Sequence, residues 1–160
     1  MSVNAAYKLV TATVFAATAG AKTALMAIAP AGHGLALAGI EISMDGVTSS
    51  AVPALVEIVQ STQATAGTSG LSPTITQIRG RLTSGSAPTG GSNYTAEPTV
   101  LTRVALFYVP QFMGLFVYQF PLGREYECDS SGGTIKGIGI RINVSANVNV
   151  VCGMEVEALG

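Results

Sequence analysis

The chain has 160 residues, a formal net charge of −1 and a charged fraction of only 11%, against about 25% in an ordinary soluble domain. That length builds one domain with a full apolar core and requires neither a metal nor a disulfide framework. Its cations are scattered apart from Arg79-Gly80-Arg81, so no basic field exists to collect nucleic acid, and direct DNA or RNA binding is excluded as an expectation.

Residues 1–20 imitate a secretory leader, with Lys8, an apolar run and Ala19-Gly20-Ala21. Thr11, Thr13 and Thr18 interrupt that run, and β-branched residues alternate with alanine, so it reads as a first strand over 7–17. The charge-free run 23–40 holds Pro30, His33 and Gly32, Gly34 and Gly39, which rules against a membrane-spanning helix there. It reads instead as a second strand, 23–29, a break at Pro30-Ala31-Gly32, and a third strand, 36–44. In the third, Ala36, Ala38, Ile40, Ile42 and Met44 share a face.

Asp45-Gly46 marks a tight turn. The fourth strand, 53–60, carries Leu55, Val56, Ile58 and Val59 and reads as covered on both sides. A polar loop follows over 61–72, then a weaker strand over 74–83 whose polarity suits a sheet edge, with Arg79 and Arg81 solvated or between subunits. A second long loop spans 84–98. Strands over 100–109 and 114–120 flank Pro110-Gln111-Phe112 and hold Phe107, Tyr108, Phe116, Tyr118 and Phe120. Aromatic side chains bury the most area, so this pair is expected at the centre of the core.

The C-terminal quarter alternates strictly. Ile138, Ile140, Ile142 and Val144 lie on one side of one strand, and Val148, Val150, Cys152, Met154 and Val156 on one side of the next. Joined by Ser145-Ala146-Asn147, the two are expected to form an antiparallel hairpin. No helical periodicity persists for three turns. The expected fold class is all-β, a jelly-roll-like β-sandwich of about eight to ten antiparallel strands. The whole chain, 1–160, is expected to be a single domain, with 1–20 an N-terminal arm or strand used in subunit contacts.

No arrangement of residues carries chemistry. His33 is the single histidine, without metal-ligand spacing around it. Asp129 belongs to the turn Asp129-Ser130-Ser131-Gly132-Gly133, and Glu125, Glu127 and Asp129 read as an acidic connector without the ligand alternation of a calcium loop. Glu155 and Glu157 are same-strand neighbours, suited to a subunit contact or a charged edge rather than to glycoside hydrolysis. Cys152 packs as a small hydrophobe. Cys128 lies beside Glu127 and Asp129, whose charges oppose thiolate formation. Two inert thiols rather than a bridge fit assembly in a reducing cytoplasm. The expectation is a protein that is not an enzyme, with no catalytic residues, no metal and no cofactor.

Asn93-Tyr94-Thr95-Ala96-Glu97-Pro98-Thr99, Gln119-Phe120-Pro121-Leu122-Gly123-Arg124-Glu125, Asp45-Gly46-Val47-Thr48 and Val56-Glu57-Ile58 together resemble small structural proteins of tailed bacteriophages, over roughly residues 35–157. The resemblance implies a virion component, assembled in the host cytoplasm. It would be a capsid decoration or cement protein that forms a homo-oligomer, commonly a trimer, and binds the major capsid protein. The alternatives are a tail-tip, baseplate or fibre-associated subunit, and a carbohydrate-binding jelly roll with Tyr94 as its stacking platform. Low charge agrees with permanent assembly, because a surface with few charges is poorly protected from association unless neighbours cover it. The contact regions expected are 2–19, 61–72 and 84–98.

Overall fold

A computed structural model describes residues 4–11, 15–17, 20–45, 51–80, 87–98, 101–112, 114–129 and 133–160. These residues form strands and no helix: β1 Ala6–Val10, β2 Phe15–Ala17, β3 Gly20–Ile28, β4 Gly34–Met44, β5 Ala54–Ser61, β6 Thr68–Leu71, β7 Thr74–Arg79, β8 Thr89–Ala96, β9 Leu101–Val109, β10 Leu115–Gln119, β11 Tyr126–Asp129, β12 Gly137–Val144 and β13 Val148–Leu159. They make two antiparallel sheets. The first runs β10-β4-β13-β1-β7, with β11 also on β4 and β2 also on β13; the second runs β6-β8-β3-β12-β5-β9.

One core fills the space between the sheets. From the first sheet it takes Leu9, Leu37, Ile40, Ile42, Val150, Met154 and Val156, and from the second Leu25, Val56, Ile58, Ile138, Ile140 and Ile142. The alternation read in 138–144 and 148–156 is therefore real, and both sets of side chains are buried. The pairing inferred from it is not. β12 bonds β3 and β5, whereas β13 bonds β4, β1 and β2 in the opposite sheet. The two strands form an arch rather than a hairpin: their side chains meet across the core, and their backbones do not meet. The same holds along the chain, for among the described pairings no two strands consecutive in sequence are hydrogen-bonded to each other.

Several local expectations also change. The first strand is divided into β1 and β2, which run in succession along β13, with Thr11 N–H donating to the Cys152 carbonyl between them. β1 lies between β13 and β7, so both of its edges are taken within the chain. In β4 the phase flips. Between the pairs Gly39–Glu155 and Leu37–Val156 the register shifts by one residue at Ala38. Leu35 and Leu37 therefore face the core, and Ala36 and Ala38 do not. A β-bulge reverses the side-chain phase in this way. The expected loop 61–72 contains the edge strand β6, and the expected loop 84–98 contains β8, paired on both sides. β8 brings Gly90 onto the β3 backbone, where an added Cβ would collide with the Met26 carbonyl. Its sequence is poor in strand formers because close approach demanded small residues.

Two expectations hold. β5 is covered on both sides, with Val56 and Ile58 in the core and Glu57 and Val59 buried on the outer face. β7 is a sheet edge. Gly46 and residues 81–83 lie outside the described residues.

Candidate assembly surface

The outer face of each sheet carries one charged cluster. On the first sheet, Lys8 Nζ sits 2.8 Å from both Glu41 oxygens and 3.9 Å from Glu155. Lys8 is on β1 and Glu41 on β4, with β13 between them. Gly153 is the β13 residue opposite Glu41, and a bare backbone there lets the lysine stem cross. Beside them, Arg79 on β7 is paired with Glu157 on β13 over Ala6, the small β1 residue that is register partner of both. Glu155 and Glu157 thus lie on a central strand and are engaged within the chain. They are not a charged edge. All five side chains are partly exposed, which makes these ordinary surface pairs, each worth about 0.2–1 kcal/mol.

The second cluster is different. Glu57 is completely buried on the outer face of β5, held by Arg141 of β12, its direct cross-strand partner, and by Arg103 of β9, 2.7 Å from Oε1. Arg141 is mostly buried beside it and Arg103 half exposed, as suits long basic side chains that bury their stems while the head stays wet. A buried carboxylate must be paired in this way, and the cluster fastens β9 to the interior of its sheet.

Beyond these strands lies the least expected surface. The aromatic segment is not at the centre of the core. β9 is the last strand of one sheet and β10 the last strand of the other, and they lie over each other at one flank of the sandwich. Phe107 meets Phe116 and Tyr118 at ring-centroid distances of 5.7 and 5.0 Å. Tyr118 meets Phe120 at 5.0 Å, and Phe120 meets Tyr126 at 5.3 Å. The rings close the gap between the sheets from the side. The centre is mainly aliphatic, with Tyr7 and Phe15 as its aromatic members. Around the ring row, apolar groups stand in water. Tyr108 is 74% exposed, Phe112 72% and Leu122 92%, joined by Leu106, Leu115, Val117 and Tyr118. Residues 104–123 contain no Asp, Glu, Lys, Arg or His.

The remaining candidates are dispersed over the molecule. His33 sits in the β3–β4 turn, Nδ1 3.3 Å from the Ala31 carbonyl. A cavity of about 450 Å³ opens beside β11, lined in part by Gly34, Glu127, Cys128, Asp129 and Leu159. Among the described residues no three His, Cys, Asp or Glu side chains converge as metal ligands. Tyr94 is buried against Met26 and Val59; it offers no stacking platform. Burial raises its hydroxyl pKa, and nearby Glu97 adds to the effect. Glu97 caps β3, accepting from Thr23 N–H at 2.8 Å and from Thr23 Oγ1 at 2.5 Å. Cys128 is opposite Leu35 and Cys152 opposite Ile42 along β4, a separation of about 23 Å at the rise of a strand. No disulfide can join them. Burial pushes the Cys128 thiol up to about 11 and raises Cys152 further, so both are inert at neutral pH.

The chain matches no family model, no curated protein and no solved structure.

Proposed function

We propose that this chain is a non-enzymatic structural subunit of a virion: a head decoration or cement protein that associates with copies of itself, as a trimer, and binds the major capsid shell. The observation that carries this reading is the apolar flank of β9 and β10, where residues 104–123 carry no charge. Among the described residues between 104 and 123, seven large hydrophobic side chains are exposed. A monomer rarely leaves more than a few hundred Å² of contiguous apolar surface in water, and larger patches mark interaction sites.

The strand order supports the finer architecture. Taking β1, β3, β4, β5, β9, β10, β12 and β13 in sequence, the chain changes sheet at every step but the one from β5 to β9, which are adjacent in the second sheet. One sheet then reads first, eighth, third, sixth, and the other second, seventh, fourth, fifth. This is the nesting expected of an eight-stranded jelly roll, an architecture common in capsid domains. β6 to β8 and β11 are insertions into that frame. The architecture is also used by lectins and cupins, so it supports the virion reading only together with the flank.

The test is direct. Virions from the source that encodes the chain are purified and stripped stepwise with denaturant, and the released proteins are identified by mass spectrometry. Release in stoichiometric amounts ahead of the major shell protein is expected of a decoration protein. Absence from the particle would end the proposal.

A further inference from the structure

Resting on that reading, the flank also indicates what covers it. Among the described pairings, β9 is bonded only to β5 and β10 only to β4. Each therefore presents a free row of backbone N–H and C=O groups, the template on which another strand is added. The two free edges are stacked, fastened to each other by the Phe107–Phe116 and Phe107–Tyr118 contacts. Residues 104–123 carry no charge; the charges that border them, Arg103 on β9 and Glu41 opposite Val117, are engaged by Glu57 and Lys8 within the chain. Such a stretch can face its own copy without like-charge opposition, because its bordering charges are already paired, whereas a partner selected by charge would find little to pair with. At the observed exposures, the side chains between Leu106 and Leu122 present on the order of 800 Å², one partner's share of a standard stable interface.

We propose that the occupant is a second copy of this chain, docked flank to flank so that the free edges of β9 and β10 meet those of its neighbour. Because both edges lie on one side of the molecule, β9 of one copy can meet β10 of the next. A contact of that kind closes into a ring when the flanks face a common axis.

The experiment uses the full chain and two paired variants. One carries Leu106→Lys with Val117→Lys, the other Leu106→Glu with Val117→Glu. Both positions are half exposed on the outer faces of the two edge strands, opposite Glu57 and Glu41, so both variants should keep the parent's circular dichroism, with a lower urea midpoint in the glutamate pair alone, where like charges face each other across the strands. By light scattering the parent should run at two or three times 16.2 kDa. Each variant alone should run at 16.2 kDa, and a 1:1 mixture should regain the parent mass, because opposite charges then meet where like charges met. Parental mass in both variants would overturn the flank as the self-contact and leave the assembly reading standing. A parent that stays monomeric at millimolar concentration would overturn the second copy as occupant. If that monomer still coats stripped particles and the variants do not, the flank belongs to the shell protein. If it coats neither particles nor itself, both proposals fall.

Discussion

The sandwich has two open flanks, and they are built on opposite principles. At one, β6 reads Thr68-Ser69-Gly70-Leu71 and β7 reads Thr74-Ile75-Thr76-Gln77-Ile78-Arg79, nearly all exposed. At the other, β9 and β10 expose Leu106, Tyr108, Leu115 and Val117. A free strand edge is a hazard that proteins blunt with polar side chains, charges and short strands. The first flank uses all three: β6 is four residues long, and Arg79 stands at the end of β7. At the second, charge is confined to Arg103 near the start of β9, and residues 104–123 carry none. The same chain sets polar and charged residues along one flank and leaves most of the other apolar, the pattern that the proposed assembly requires.

If the two flanks are independent, each can be loosened alone. The largest effect is expected from Arg141→Met. It leaves the fully buried Glu57 with only the half-exposed Arg103, and an under-compensated buried charge costs about 3 kcal/mol. Urea denaturation should report that loss, and amide exchange should quicken in β9 while β6 and β7 keep their protection. Gly90→Ala is the counterpart on the protected side. Its new methyl meets the Met26 carbonyl, so β8 must move off β3, at about 2 kcal/mol for an overpacked site. Here exchange should quicken in β8 and β6, with β9 unchanged. Loosening of both flanks by either substitution would show them to be one cooperative unit.

The sequence revealed faces better than neighbours. Period two in 138–144 and 148–156 tells which side chains are buried, and those were legible. It does not tell which strand lies alongside. Ser145-Ala146-Asn147 is as suitable for an arch between sheets as for a hairpin within one, and three residues can do either. Phase was lost in β4 because the bulge at Ala38 leaves no signature in residue type. β8 was hidden because Gly90 and Gly91 were chosen for backbone approach, and they resemble a loop. The surface proposed for assembly was visible as an aromatic, charge-free segment but was assigned to the core. Hydrophobicity gives a residue's preference for being covered and not whether its own chain does the covering.

A pH titration probes the end of the apolar flank, where β11 pairs with β4. The unfolded chain releases the Cys128 proton near the ordinary value of 9.0, while burial holds it in the folded state to about 11. Between those values the native protein binds more protons than the unfolded one. Stability is therefore full below pH 9 and falls as pH rises, by about 1.4 kcal/mol per unit for this thiol. Cys152, wholly buried, is shifted in the same direction. Melting temperatures measured from pH 8 to 11 should fall less steeply in Cys128→Ala than in the parent. Equal slopes would mean that the thiol is not held away from water.

The smallest effect on stability gives the sharpest test of the comparison. Ile78→Lys and Val117→Lys place the same charge on half-exposed apolar residues of two edge strands, β7 and β10. Neither site is buried, and neither side chain makes a polar contact that the lysine would break. Both substitutions should therefore stay within about 0.5 kcal/mol of the parent in urea at concentrations where the chain is monomeric. In association they should part. On β7, lysine extends a protection already present, and the sedimentation profile should not change. On β10 it introduces a charge into an apolar stretch beside Glu41, a carboxylate already engaged by Lys8, and burying that charge against the apolar stretch of a second copy is costly. The dissociation constant for self-association should rise at least tenfold. If the two lysines weaken association equally, the asymmetry between the flanks is one of composition only, and the exposed aromatic side has no special claim to be an interface.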